Sequence, residues 1–95
     1  MLSFMMTITV KDDCKQEARD SLSEIDSKAN THKGCINFMW FQHKDDPLKF
    51  TLFEQWENQK VLDAHKEKII DIWEEFEPCL AEEPVSTELE KLVKN

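Results

Sequence analysis

The first ten residues alternate between an apolar side and a mixed side with a period of two. Leu2, Phe4, Met6, Ile8 and Val10 share one side, and Ser, Met and Thr occupy the other. This period is typical of a β-strand, in which successive side chains point to opposite faces. The β-branched residues favour the same structure. We therefore predict a strand over residues 2–10.

A helical period follows the strand. Apolar residues recur at spacings of three and four, at Cys14, Ala18, Leu22, Ile25 and Ala29. Such a stripe predicts an amphipathic helix that buries one face. Asp12 or Asp13 is placed to cap this helix, and Gln16 stands three residues after Asp13, as in a capping box.

A hairpin occupies the middle of the chain. Gly34, the sole glycine, follows the first helix, which predicts a turn with positive φ. Residues 35–43 and 48–56 are two apolar-rich segments, and the KDDP turn at residues 44–47 separates them. Two strands joined by a short turn predict an antiparallel pair.

The remaining chain predicts one more helix and one more strand. Asn58 is placed to cap a helix, which either continues through Lys66 or breaks there into two. Its apolar stripe is Leu62, His65, Ile69, Ile72, Trp73, Phe76 and Leu80. Pro78 and Pro84 end the helical segment. Residues 84–93 alternate weakly and predict an edge strand.

The predicted order β-α-β-β-α-β is the ferredoxin-like, α+β arrangement, here as a single domain over residues 1–95. Its antiparallel sheet carries helices on one face, so the other face meets water or a partner. Both faces of the predicted hairpin are apolar. We therefore expect a homodimer that pairs through the open sheet face.

The hairpin register decides which residues of the second strand face the helices. With a four-residue KDDP turn, Asn37 faces Glu54. A slip of one residue brings Phe38 and Trp40 to that face instead, because side chains alternate with a period of two.

Composition narrows the classes of partner. The 95 residues carry a net charge of −8 and one arginine, Arg19, which disfavours nucleic acids and anionic membranes as partners.

The sequence also bears on location. No apolar segment approaches the ~20 residues of a spanning helix, and the start lacks the features of a secretory signal. Three widely spaced cysteines argue against a disulfide framework and a zinc site, so we expect a cytoplasmic protein.

Residues 34–65 resemble the antibiotic biosynthesis monooxygenase family. They contain GC before an aromatic strand, a DDP turn, the sequence FTLFEQW, and an Ala-His pair about nine residues after Trp56. The resemblance implies a dimeric α+β barrel with an apolar pocket between the sheet and the helices of each subunit. Some relatives are oxygenases that oxidise quinols or phenols without a metal or flavin, while others degrade haem or isomerise or degrade small signalling molecules. We expect a monooxygenase that oxidises a quinol or phenol without cofactors, and we find no motif for a metal, flavin or nucleotide.

Two residues of this segment are candidate catalytic groups. Glu54 lies in an otherwise apolar strand, where a carboxylate is either satisfied structurally or acts as a base. His65 lies on the apolar stripe of the second helix, either as a core residue or, as the resemblance implies, as a proton-transfer group near the pocket. We expect His65 to transfer the proton and Glu54 to orient it or to be the base.

Further residues are candidates for substrate binding: Asn37, Met39, Phe41, Leu52, Trp56, Ile69 and Trp73. The related oxygenases often use Tyr and Arg near the substrate, but this chain has no Tyr, and Arg19 is on the polar side of the first helix. Two other functions remain open: a non-catalytic, dimeric ligand-binding module, and an isomerase or lyase for a small signalling carbonyl compound.

Overall fold

Six main elements follow one another in the computed structural model, which describes residues 1–93. They are β1 (Leu2–Thr9), α1 (Lys15–Ala29), β2 (Cys35–Gln42), β3 (Lys49–Trp56), α2 (Gln59–Phe76) and β4 (Val85–Leu89). Short 3₁₀ turns precede α1 at Asp12–Cys14 and follow α2 at Glu77–Cys79. This order confirms the predicted β-α-β-β-α-β arrangement.

The four strands form one antiparallel sheet in the order β2-β3-β1-β4. Side chains alternate across it, so Phe50, Leu52 and Trp56 are buried toward the helices. Helix α1 buries the predicted stripe against the same face: Ala18, Leu22, Ile25 and Ala29. The sheet with its two helices is the ferredoxin-like, α+β fold.

Helix α2 begins where the sequence predicts. The Asn58 side chain accepts a hydrogen bond from the Val61 amide at 3.0 Å, which satisfies one free N–H of the first turn. The helix then continues without a break through Lys66. It ends at Phe76, so Leu80 lies beyond it, in an isolated bridge to Val10.

The predicted cap of α1 is wrong. Asp12 and Asp13 belong to the preceding 3₁₀ turn, and Cys14 occupies the N-cap position without a side-chain capping bond. The Cys14 side chain is engaged elsewhere, in a disulfide with Cys79, 65 residues away. The predicted absence of a disulfide is therefore also wrong, because the fold brings two distant cysteines together. The number of cysteines therefore no longer supports a cytoplasmic location.

The segment between β2 and β3, residues 43–48, is two residues longer than predicted, and the strand register differs from the predicted one by one residue. Leu48 stays in the turn because its amide donates to Asp46 Oδ1 at 3.1 Å, and β3 begins at Lys49. Phe38 therefore pairs with Glu54, and Trp40 with Leu52. The interpretation that Asn37 faces Glu54 is wrong, and the slipped register is the one observed.

The open face of the sheet carries an apolar row beside a polar row. Met5, Phe53 and Met39 are neighbours across three strands. On one side of them Asn37 donates to Gln55 at 2.6 Å, and Gln55 donates to Ser3 at 3.1 Å. Met5 and Met39 are each 42% exposed, and Phe41 is 52% exposed. This apolar row is uncovered in the isolated chain.

We predict that Gly34→Ala destabilises the protein by about 2 kcal/mol. Gly34 has a φ of +95°, and an added Cβ would stand 2.7 Å from Val61 Cγ1. Urea unfolding measures the change, with the exposed neighbour Lys33→Ala as the control. Equal stability of the two variants would contradict this account of the turn.

Candidate active site

A cavity of about 350 Å³ lies between the helix-covered face of the sheet and α2. Its walls are largely apolar, and three residues bring ionisable groups to it: Glu54, His65 and Lys66. The remaining lining residues are Phe4, Met6, Ile25, Phe38, Trp40, Leu52, Leu62, Ile69, Ile70, Trp73 and Ser86. Apolar walls with a few polar groups are typical of small-molecule sites.

Glu54 is held in place by its neighbour on the same face of β3. The Trp56 indole Nε1 donates to Glu54 Oε1 at 2.7 Å. Trp56 is fully buried. Burial raises the pKa of Glu54, while the Trp56 hydrogen bond and the charge of Lys66 act in the opposite direction. A carboxyl group with a raised pKa accepts a proton more readily at neutral pH than an ordinary one.

His65 lies on α2 and is 3% exposed. Its ring centroid is 4.7 Å from that of Trp56 and 5.2 Å from that of Phe38. Burial is the main reason that the pKa of His65 is lowered to about 4. Electrostatic interactions with His32, Lys66 and Lys68 lower the pKa of His65 further. His65 is therefore neutral at pH 7.

Glu54 and His65 both line the cavity, but their side chains are not hydrogen-bonded to each other. Among residues 1–93, no hydrogen bond joins the two side chains, and the Nδ1 atom of His65 has no hydrogen-bond partner. The Trp56 indole contacts both, by a hydrogen bond on one side and by its ring on the other. The arrangement fits Glu54 as the base better than Glu54 as the group that orients His65.

The predicted substrate-binding residues divide between the two sides of the sheet. Leu52, Ile69 and Trp73 line the cavity. Trp56 lies behind the lining, where it contacts Glu54 and His65. Asn37, Met39 and Phe41 lie on the open face, because the register of β2 on β3 differs by one residue from the predicted one. Arg19 is exposed and lies beside a separate surface groove.

Several cavity residues were missed from the sequence. Phe4 and Met6 have the same period as the core residue Ile8, but their place at the cavity depends on β1 lying between β3 and β4. Lys66 has no sequence signal beyond its position next to His65. His32 follows α1 and packs edge to face on His65 at 5.1 Å between ring centroids, and nothing in the pattern indicates that contact.

Away from the cavity, one cluster within residues 1–93 combines potential metal ligands. The ligand atoms of Cys14, Glu17 and Cys79 lie within 4.8 Å of one another. Because the two sulfurs are joined in a disulfide, neither is available as the thiolate that a metal requires.

We predict that His65 stays neutral as the pH falls from 7 to about 5. Its native pKa is about 4 against an ordinary 6.5, so the unfolded chain binds more protons between these values. The contribution of His65 to stability is thus present above pH 6.5 and is lost as the pH falls toward 4. The loss is at most about 3 kcal/mol, and less where water reaches the ring.

NMR titration of the imidazole measures this pKa, with His65→Gln identifying the resonance. The free energy of unfolding is compared as a function of pH between Glu54→Gln and the double variant Glu54→Gln/His65→Gln. Both lack the Glu54 carboxyl group, whose raised pKa makes stability fall with rising pH and would oppose the effect of His65. An ordinary titration near pH 6.5 would contradict the description of the site.

Comparison with protein-family models identifies one family. The family model described as antibiotic biosynthesis monooxygenase matches residues 1–77. A search of curated protein sequences finds no match. No helix within residues 1–93 has the length and apolar character needed to cross a membrane.

Solved structures show the same fold at low sequence identity. A Nitrosomonas europaea protein assigned to the antibiotic biosynthesis monooxygenases has a TM-score of 0.90 and 22% identity, covering 98% of this chain and 100% of its own. A conserved Methanosarcina mazei protein has a TM-score of 0.83 and 23% identity, covering 96% and 94%. The family match over residues 1–77 identifies the chain as a member of the antibiotic biosynthesis monooxygenase family.

Proposed function

We propose that the protein is a monooxygenase that oxidises a small quinol or phenol in the cavity, without a bound cofactor. The observation that carries this proposal is a carboxyl group with a raised pKa in an apolar cavity, fixed by the Trp56 indole. An electron-rich hydroxyaromatic substrate is apolar enough to enter this cavity and has an acidic proton for Glu54 to remove.

In the proposed reaction, Glu54 removes a proton from the substrate hydroxyl, and the resulting anion transfers an electron to O₂. Recombination at a ring carbon and loss of water give a carbonyl group, so one oxygen atom of O₂ enters the product and the other leaves as water. No external reductant is needed, because the substrate supplies all the electrons.

The other cavity groups have supporting roles in this proposal. Lys66 places a positive charge at the cavity, a role that Arg often has in the related oxygenases, and this charge favours the substrate anion. Neutral His65 presents an imidazole to the substrate instead of a second cation. Trp73 and Leu52 supply flat and aliphatic walls for an aromatic ring.

Glu54→Gln should lower the rate of oxygen uptake with a panel of hydroquinones by roughly 10²–10⁴-fold, the usual contribution of a general base. The variant His65→Gln, in the same oxygen-uptake assay, tests the supporting role of the His65 imidazole. The matched control is the exposed Glu57→Gln, which also removes one carboxylate near the end of β3. Unchanged uptake in Glu54→Gln would remove Glu54 from the mechanism, whereas hydroquinone binding without oxygen uptake in the wild type would favour the ligand-binding module.

We also propose that two copies of the chain pair through the open sheet face. The apolar row of Met5, Phe53 and Met39 supports this, since a stable interface has an apolar centre and a polar rim. The Asn37–Gln55–Ser3 hydrogen bonds lie beside the row and leave its centre free of unpaired polar groups.

Sedimentation at micromolar concentration should therefore give a mass of twice 11.3 kDa. Phe53→Lys should convert the protein into a monomer, because a charge in the middle of the row would be buried without a partner. Leu92→Lys is the control, since Leu92 is 97% exposed and lies outside the strands. A wild-type monomer, or a dimer that survives Phe53→Lys, would contradict the proposed interface.

A further inference from the structure

The disulfide between Cys14 and Cys79 lies outside the cavity and has no part in the proposed oxidation. It connects the turn before α1 with the turn after α2, with Cα atoms 5.7 Å apart. We propose that this disulfide is a thiol-exchange site, at which a small-molecule thiol reduces the bond by attack on Cys14 and thereby releases the C-terminal end of α2.

The two cysteine residues differ in their exposure to solvent. Cys79 is 4% exposed and belongs to the same buried cluster as Phe76 and Val10. Cys14 is half-buried and packs at the edge of that cluster. An incoming thiolate therefore reaches Cys14, and Cys79 is the leaving group.

The surroundings of Cys79 control how readily it leaves. Glu17 Oε2 lies 2.9 Å from Cys79 Sγ. A carboxylate at this distance repels the thiolate that forms on Cys79 when the bond breaks, and it accepts a hydrogen bond from the thiol once the sulfur is protonated. Glu17 thus slows the breaking step and stabilises the reduced product.

The complete exchange consumes two thiols. The first thiolate forms a mixed disulfide with Cys14, and Cys79 leaves and takes a proton from water. A second thiolate attacks the sulfur of the bound thiol, which releases Cys14 and an oxidised disulfide of the reductant. Two protein thiols are formed, and two molecules of the reductant are oxidised to one disulfide.

Reduction of the Cys14–Cys79 disulfide affects the cavity through α2, which forms one of its walls. Phe76 lies one turn before Cys79, and its ring centroid is 5.5 Å from that of Trp73, which lines the cavity. Without the bond, the segment after α2 is held by backbone contacts such as Lys11 N to Cys79 O and Ala81 N to Thr9 O, both 2.8 Å. The disulfide therefore fixes the end of the helix that forms one cavity wall.

The test uses the full chain with Cys35→Ser, which leaves the two bonded cysteines. Glutathione is the reductant, and alkylation with intact mass spectrometry counts free thiols over time. We expect no free thiol before reduction, a glutathione adduct on Cys14, and reduction at least 5-fold faster in Glu17→Gln. Glu24→Gln, an exposed carboxylate on the same helix, is the control and should leave the rate unchanged.

Hydrogen exchange of the reduced protein tests the structural consequence. Peptides covering residues 73–84 should exchange faster than in the oxidised protein, and peptides covering residues 48–56 should not change. Free thiols at both cysteines before reduction, an adduct on Cys79, or equal rates for Glu17→Gln and Glu24→Gln would each overturn the proposal. Unchanged exchange at residues 73–84 would overturn the link to the cavity. None of these results depends on oxygen uptake, so the proposed oxidation stands or fails separately.

Discussion

The hydrogen bond from the Leu48 amide to Asp46 Oδ1 sets the register of β2 on β3, and the rest of the site depends on that register. With Leu48 held in the turn, Phe38 and Trp40 face the helices, and Asn37 and Met39 face away. A turn shorter by one residue would exchange these two sets completely. The cavity would then contain the Asn37 amide and would lose the Phe38 and Trp40 side chains.

The same register explains why Glu54 is bonded to a tryptophan rather than to another polar side chain. Its partner on β2 is Phe38, which offers no hydrogen-bond donor, and the residue two positions on in β3 is Trp56. An ionised carboxylate in an apolar cavity needs a donor, and one indole N–H satisfies it in part. The pKa of Glu54 therefore stays raised despite the bond.

The sequence was sufficient for the parts of the fold that depend on local periodicity. The stripe of α1, the cap at Asn58 and the positive φ of Gly34 are local properties, and the structure has all three. The placement of Glu54, Leu52 and Trp56 on one face of β3 follows from the period of two within one strand. Once the order of elements was known, the ferredoxin-like sheet and its helix-covered face followed.

The predictions that were wrong or missing concern features that depend on a single hydrogen bond or on residues far apart in the sequence. The length of the KDDP turn depends on whether one amide bonds to Asp46, and alternation cannot distinguish the two cases. The contact of His32 with His65 and the Cys14–Cys79 bond join residues far apart in sequence. Spacing along the chain carries no information about such pairs, which is why counting cysteines gave the wrong result.

These long-range features are not independent of the small size of the chain. A domain of 95 residues buries a smaller share of its surface than a larger one does, so its helix ends need other restraints. A disulfide typically contributes about 2–4 kcal/mol to the free energy of unfolding. Here it holds the end of α2 opposite the cap at Asn58. Restraint at both ends of α2 keeps His65, Ile69 and Trp73 in place over the sheet, although that helix face contacts a cavity instead of a filled core.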